Sequence, residues 1–307
     1  MMRHAAKIVL ALASLLGGAE AALGITIAPG DLLVTNESTG TVSLYSANGS
    51  LRAASFISGL ASPDGIAVDV AGNVYVGTNL VNGTISKYNP DGTLSNAGFA
   101  TGVNQPQELM VDAAGNLLVA LYGSNSVVRY SPAGVANLTI TTGVTRPLGL
   151  ALDPSGNIYV TSETAGSVTE YSSSGALLNG GPLISSGLST PTGLVVDAAG
   201  GHIFVTNQGA GTVGEYTLAG ALVSSTFITG LGGPAGMVSD GAGHLVFANN
   251  SANTVTYYTF AGSLFRTLAV GSNPWGVAVF ATPVPEPAPL ALIGLALATL
   301  VVRRRAS

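Results

Sequence analysis

Glu108 is the residue whose type and position most invite chemistry. A Pro-x-Gly signature recurs six times along the chain, and in the copy Pro106-Gln107-Glu108 a carboxylate replaces the glycine. A carboxylate at the head of an apolar strand can hold a cation or take a proton; otherwise it is a local exception kept in water. Other polar residues recur at equivalent places in the repeat. Asp64, Arg146 and Trp275 flank the prolines, while Asn36, Glu37, Asn79, Tyr122, Glu163, Asn207, Gln208, Asn249 and Asn250 follow a second strand. Trp275 is the only tryptophan. Its ring either stacks on a flat ligand such as a sugar or plugs the space it points into.

Several tempting residues read as structural. Asp69, Asp112, Asp153, Asp197 and Asp240 each lie just before a glycine-containing turn, where aspartate accepts backbone N–H bonds. His202 and His244 occupy a turn position that other copies give to Asn, so they cannot meet at one metal. The chain has no cysteine, which excludes disulfides, thiol catalysis and cysteine metal sites. No Gly-x-Ser-x-Gly elbow or Walker loop is present.

The elements that position these residues are internal repeats. Pro63, Pro106, Pro147, Pro191, Pro234 and Pro274 are 43, 41, 44, 43 and 40 residues apart. Each proline opens a near-continuous apolar run such as Gly65-Ile66-Ala67-Val68, expected of a strand buried on both faces. A Gly-Asn turn and a second strand follow, as in Asn73-Val74-Tyr75-Val76. The third strand ends in Tyr45, Tyr88, Tyr130, Tyr171, Tyr216 or Tyr258, read as packing residues. A fourth strand precedes the next proline. Four strands in about 40 residues is the period of a β-propeller blade. The repeat opens at Asp31 to Thr35 on a second strand lacking its first, and closes at Gly276 to Phe280 on a first strand lacking its second. The fragments complete one blade and remove the open sheet edge. The expected fold is all-β: a six-bladed propeller of four-stranded blades with a composite closing blade, residues 22–282. Its first strands line a channel, and the polar positions named above surround one mouth, the expected binding site.

The Pro-x-Gly…Asp-x-x-Gly-Asn…Val unit resembles the NHL family of propellers from Asp31 to Phe280. More loosely it is similar to streptogramin lyases and regucalcin-like gluconolactonases. The lyases imply a metal on channel histidines, and the gluconolactonases a Glu, Asn and Asp site for which Glu37 or Glu108 would be available. One departure matters. Where NHL repeats carry Asp after the second strand this chain has Asn36, Asn79, Leu121, Ser162, Asn207 and Asn249, and the paired Arg is Thr or Ser. The inter-blade ion pairs of that family are therefore expected to be absent.

The chain ends carry addresses. Met1 to Ala21 has a basic start, an apolar run from Ile8 to Leu16 and Ala19-Glu20-Ala21, so residues 1–21 read as a signal peptide cleaved after Ala21. Residues 283–307 read Val284-Pro285-Glu286-Pro287, an uncharged run and Arg303-Arg304-Arg305. As a helix, residues 288–302 would span about 22 Å, a short transmembrane segment with the arginines cytoplasmic. This tail resembles the PEP-CTERM sorting signal of Gram-negative exopolysaccharide producers. The resemblance implies an exosortase as partner, processing near Pro285 to Pro287, a transient inner-membrane anchor and delivery to the outer envelope or outside.

Only 8% of residues are charged. Between the two addresses, five basic residues face thirteen acidic ones, a balance that argues against nucleic acid and anionic membrane surfaces. The sequence is thus read as an exported, non-enzymatic binding or scaffold protein of the envelope or matrix, with exopolysaccharide or an envelope protein as partner and no cofactor. The alternative is a lyase or lactonase using a divalent metal.

Overall fold

The computed structural model describes residues 24–280. The expected signal peptide and transmembrane helix lie outside them. Among the described residues no helix is long and apolar enough to cross a membrane.

Six four-stranded sheets stand around one axis. The innermost strands are β4 (Pro63–Val68), β8 (Pro106–Val111), β12 (Pro147–Leu152), β16 (Pro191–Asp197), β20 (Pro234–Ser239) and β24 (Pro274–Val279). Each opens a blade except β24, the last strand among the described residues. It pairs antiparallel with β1 (Leu32–Asn36), which continues to β2 (Thr41–Tyr45) and β3 (Leu51–Ile57). The composite blade is therefore the one that closes the ring. A strand from each end of the repeat is held by a ladder in which Leu32, Leu33 and Val34 face Val279, Ala278 and Val277.

Apolar alternation drives each blade onto its neighbours. The core is a set of clusters between adjacent sheets: Leu33, Leu44 and Ile57 meet Ile66, Val74 and Val76 across one interface. The next interfaces repeat that arrangement around the ring. Each fully buried aliphatic side chain contributes about 2 kcal/mol. Tyr171 and Tyr216 are fully buried, and their hydroxyls donate to Thr142 O at 2.6 Å and Ser186 O at 3.1 Å in the preceding blade. Burial pushes both hydroxyls up to about 12.

Threonine hydroxyls of the inner two strands tie neighbouring blades. Thr35 Oγ1 donates to Asp64 O at 2.9 Å, Thr161 Oγ1 to Thr192 O at 2.6 Å, and Thr192 Oγ1 to Pro234 O at 3.0 Å. The glycines of the signature make that approach possible. A Cβ on Gly65, Gly149 or Gly276 would lie 2.3, 2.1 or 2.3 Å from a carbonyl oxygen of the next inner strand. Glu108 alone carries a side chain at this position.

Candidate ligand-binding site

The mouth is built by a backbone irregularity repeated in every blade. The register against the second strand shifts between Pro63 and Ile66, Pro106 and Leu109, Pro147 and Leu150, Pro191 and Leu194, and Pro234 and Met237. Such bulges re-aim the residues they contain. The residue before each proline is left-handed: Ser62, Gln105, Arg146, Thr190 and Asn273 have φ between 43° and 58°, and Gly233 has 67°. For a side chain this costs about 1–2 kcal/mol, and it holds Gln105 and Arg146 at the mouth.

The mouth holds a pocket of about 200 Å³ lined by Asn79, Gln105, Gln107, Tyr122, Leu148, Glu163, Gln208 and Trp275. Four amides, a carboxylate, a phenol and an indole converge there. The rim is rigid. The Tyr122 hydroxyl donates to Glu163 Oε2 at 2.9 Å, Arg146 Nε lies 3.5 Å from the same oxygen, and the guanidinium sits 4.4 Å over the Tyr122 ring. Burial and the Glu163 carboxylate raise the Tyr122 hydroxyl above its ordinary value, so it remains a donor. Beneath the rim Asp64 is 2% exposed. Burial, then Glu37, then Glu108 push its carboxyl well above the usual range, against the lowering effect of Gln107 and Asn79. One oxygen of Asp64 and the Asn79 amide oxygen are buried without a hydrogen-bond partner.

Below the mouth the channel narrows. Gln107, Glu108, Leu148, Thr192, Ala235 and Trp275 surround a space of about 10 Å³, room for about one water. Trp275 lines both this constriction and the mouth pocket, lying across from Leu148. It is thus both plug and platform. Glu108 sits at the constriction and also borders a chamber of about 290 Å³ that continues to the far face. Glu108 keeps some accessible surface toward this lumen, yet protein surrounds it, and burial pushes its carboxyl well above the usual range.

Other expected mouth residues serve the scaffold. Asn36, Asn207 and Asn249 point into their blades. Asn36 Nδ2 donates to Ser43 Oγ at 2.9 Å, Asn249 Nδ2 to Thr256 Oγ1 at 2.9 Å, and Asn207 Oδ1 accepts from Ser189 N at 3.0 Å. Glu37 Oε2 accepts from Asn273 Nδ2 at 2.5 Å, beside the pocket rather than in it. The turn aspartates hold backbone amides: Asp69 Oδ1 accepts from Asn73 N at 2.9 Å and Asp112 Oδ1 from Asn116 N at 2.8 Å. His202 stands 2.9 Å from Glu215, and His244 Nδ1 lies 2.7 Å from Asp240 Oδ2, both histidines opening a second strand at the far face rather than sitting in the turn. Gln105, Gln107 and Leu148 belong to the site without having been singled out by type. Their signal was positional, since each stands beside an inner-strand proline.

The channel carboxylates do not form a metal cage. Among the described residues no three His, Asp or Glu side chains converge closely enough to hold an ion. Glu37 and Glu108 both act on Asp64 at the channel head, but the three carboxylates do not share a point.

Residues 283–305 match the PEP-CTERM protein-sorting motif. This motif implies an exported protein that passes the membrane and is processed by an exosortase. No curated protein matches the sequence. The fold is shared with solved propellers at low identity. A chain of a nidogen/laminin complex is 18% identical with a TM-score of 0.69, covering 82% of this chain and 99% of that one. Virginiamycin B lyase from Staphylococcus aureus is 14% identical with a TM-score of 0.60, covering 84% of this chain and 90% of that one. A catalytically inactive histidine-to-alanine form of that lyase, with quinupristin, is 20% identical with a TM-score of 0.53, covering 70% of this chain and 73% of that one. The chain thus shares the six-bladed propeller fold of these proteins and carries a PEP-CTERM tail.

Proposed function

We propose that this exported propeller is a non-enzymatic binding protein of the bacterial envelope or extracellular matrix, and that its mouth takes a saccharide unit of an exopolysaccharide. The observation that carries the reading is the mouth pocket itself. Trp275 offers a flat apolar face, and Asn79, Gln105, Gln107 and Gln208 offer paired donors and acceptors beside the Tyr122–Glu163–Arg146 rim. That combination suits a sugar ring, apolar on its faces and hydroxylated at its edge.

Topology supports the same direction. The inner strands run from the mouth to the far face, and β24 ends at Val279 on that face. Phe280 is pinned there, its N–H donating to Asp31 O at 2.9 Å and its carbonyl accepting from Gly30 N at 2.7 Å. The sorting motif starts at residue 283. Two residues separate Phe280 from that motif and seven separate it from the expected membrane segment at 288, a reach of at most about 28 Å, so while the tail is attached the far face is expected to lie toward the membrane and the mouth away from it.

The lyase or lactonase reading needs a metal. It is less favoured because His202 and His244 stand at the far-face starts of second strands and, among the described residues, no carboxylate trio converges. Elemental analysis of the purified protein is expected to find no stoichiometric divalent ion; one tightly held ion per chain would restore that reading. The binding reading is tested by retention on immobilised exopolysaccharide from a bacterium making a PEP-CTERM system. Trp275→Ala is expected to weaken retention about tenfold. Equal retention of variant and native protein would remove the mouth from the account.

A further inference from the structure

We propose that the chamber behind the constriction is a second ligand site, for a small ammonium compound with an apolar body, whose positive charge is met by Glu108. This proposal goes beyond the mouth reading and does not depend on it, because the two spaces are separated by a gap that admits about one water.

The chamber measures about 290 Å³. Its wall comes from the far halves of all six inner strands and is aliphatic nearly throughout. Val68, Val111, Leu152, Val196, Val238 and Val279 are half-buried, their accessible sides turned to this lumen and its far-face opening. Glu108 is the single charged residue in the lining, and Ser239 at the rim is the single hydroxyl. No opposite charge or hydrogen bond among the described residues offsets the burial of Glu108. The one charged group whose interaction with it is resolved is Asp64 on β4, another carboxylate. An unpaired carboxylate facing an apolar space is costly, and a buried charge is normally paired.

The repeat sharpens the point. The equivalent position is glycine in the other five copies, because a Cβ there would strike the next inner strand. Here a carboxylate stands on β8 at the place where those glycines stand. An ammonium group removes the desolvation penalty of Glu108, and an attached apolar body covers the aliphatic wall. An anion would meet repulsion from Glu108 and Asp64. A neutral apolar molecule would leave the carboxylate unpaired.

The test is calorimetric titration of the full-length chain in non-ionic detergent, against a detergent-only blank, with benzylammonium and its neutral counterpart benzyl alcohol. Benzylammonium is expected to bind about tenfold more tightly than the alcohol. Glu108→Gln is expected to abolish that preference. Leu152→Trp, which fills the chamber without touching the carboxylate, is expected to abolish binding of both. Absence of benzylammonium binding to the native chain, equal affinity for the two compounds, or a preference that survives Glu108→Gln would each overturn the proposal.

Discussion

Glu108 and the buried tyrosines show how single residues set the pH limits of this protein. Burial holds the Glu108 carboxyl above its usual range, so folding favours the neutral form. Stability from that preference is complete below the unfolded carboxyl's pKa and is lost as pH rises through the raised folded value. Glu108→Gln keeps a neutral group at every pH. Its melting temperature is therefore expected to equal the native one near about pH 4 and to exceed it increasingly toward about pH 8; a variant less stable than native at the higher pH would contradict this. Tyr171 and Tyr216 act at the other extreme. Their hydroxyls donate to carbonyls of the preceding blade, which only the protonated form can do, and burial raises both to about 12. Their contribution is intact below the ordinary tyrosine pKa and fades as pH rises through about 12. Ultraviolet titration should find unfolding and tyrosinate formation coinciding; early ionisation of these two in a folded protein would contradict it.

At the scale of the element, the inner strand decides both packing and site. Gly149→Ala would place a Cβ 2.1 Å from Thr192 O and is expected to cost about 3 kcal/mol, measured by denaturant unfolding; a loss under about 0.5 kcal/mol would mean that the blades do not pack as described. The same strand explains what could be read before any coordinates. Prolines spaced by one blade, the apolar run after each and the mismatched ends were enough to lay out six blades and their composite closure. The site was harder because strand alternation does not predict side-chain direction through a bulge. Asn36, Asn207 and Asn249 looked like mouth residues yet turn into the blade to hold Ser43, the Ser189 backbone and Thr256. Gln105 and Gln107 looked ordinary, yet the left-handed residue and the bulge bring them to the pocket. Absence of the Asp and Arg pair was legible; the threonine hydroxyls that tie neighbouring blades were not, since threonine is common in any strand.

The whole molecule is a polarised ring. One face gathers amides, a carboxylate, a tyrosine and the tryptophan; the other carries the turn aspartates, the end of the described chain and, close beyond it, the sorting motif. Because the chain has no cysteine, a single introduced one reports its surroundings cleanly. In cells lacking exosortase activity, a cysteine at Ser251 on the mouth face is expected to react with a bulky maleimide faster than one at Ala242 in a far-face turn, both positions being exposed in the ring. The reverse order would place the mouth against the membrane. The central claim, that the mouth receives a saccharide against Trp275, is open to one direct measurement because the chain has a single tryptophan. Titration with soluble exopolysaccharide fragments should shift and saturate its fluorescence, with a weaker midpoint in Glu163→Gln. Binding of those fragments that leaves the tryptophan emission unchanged would contradict the claim.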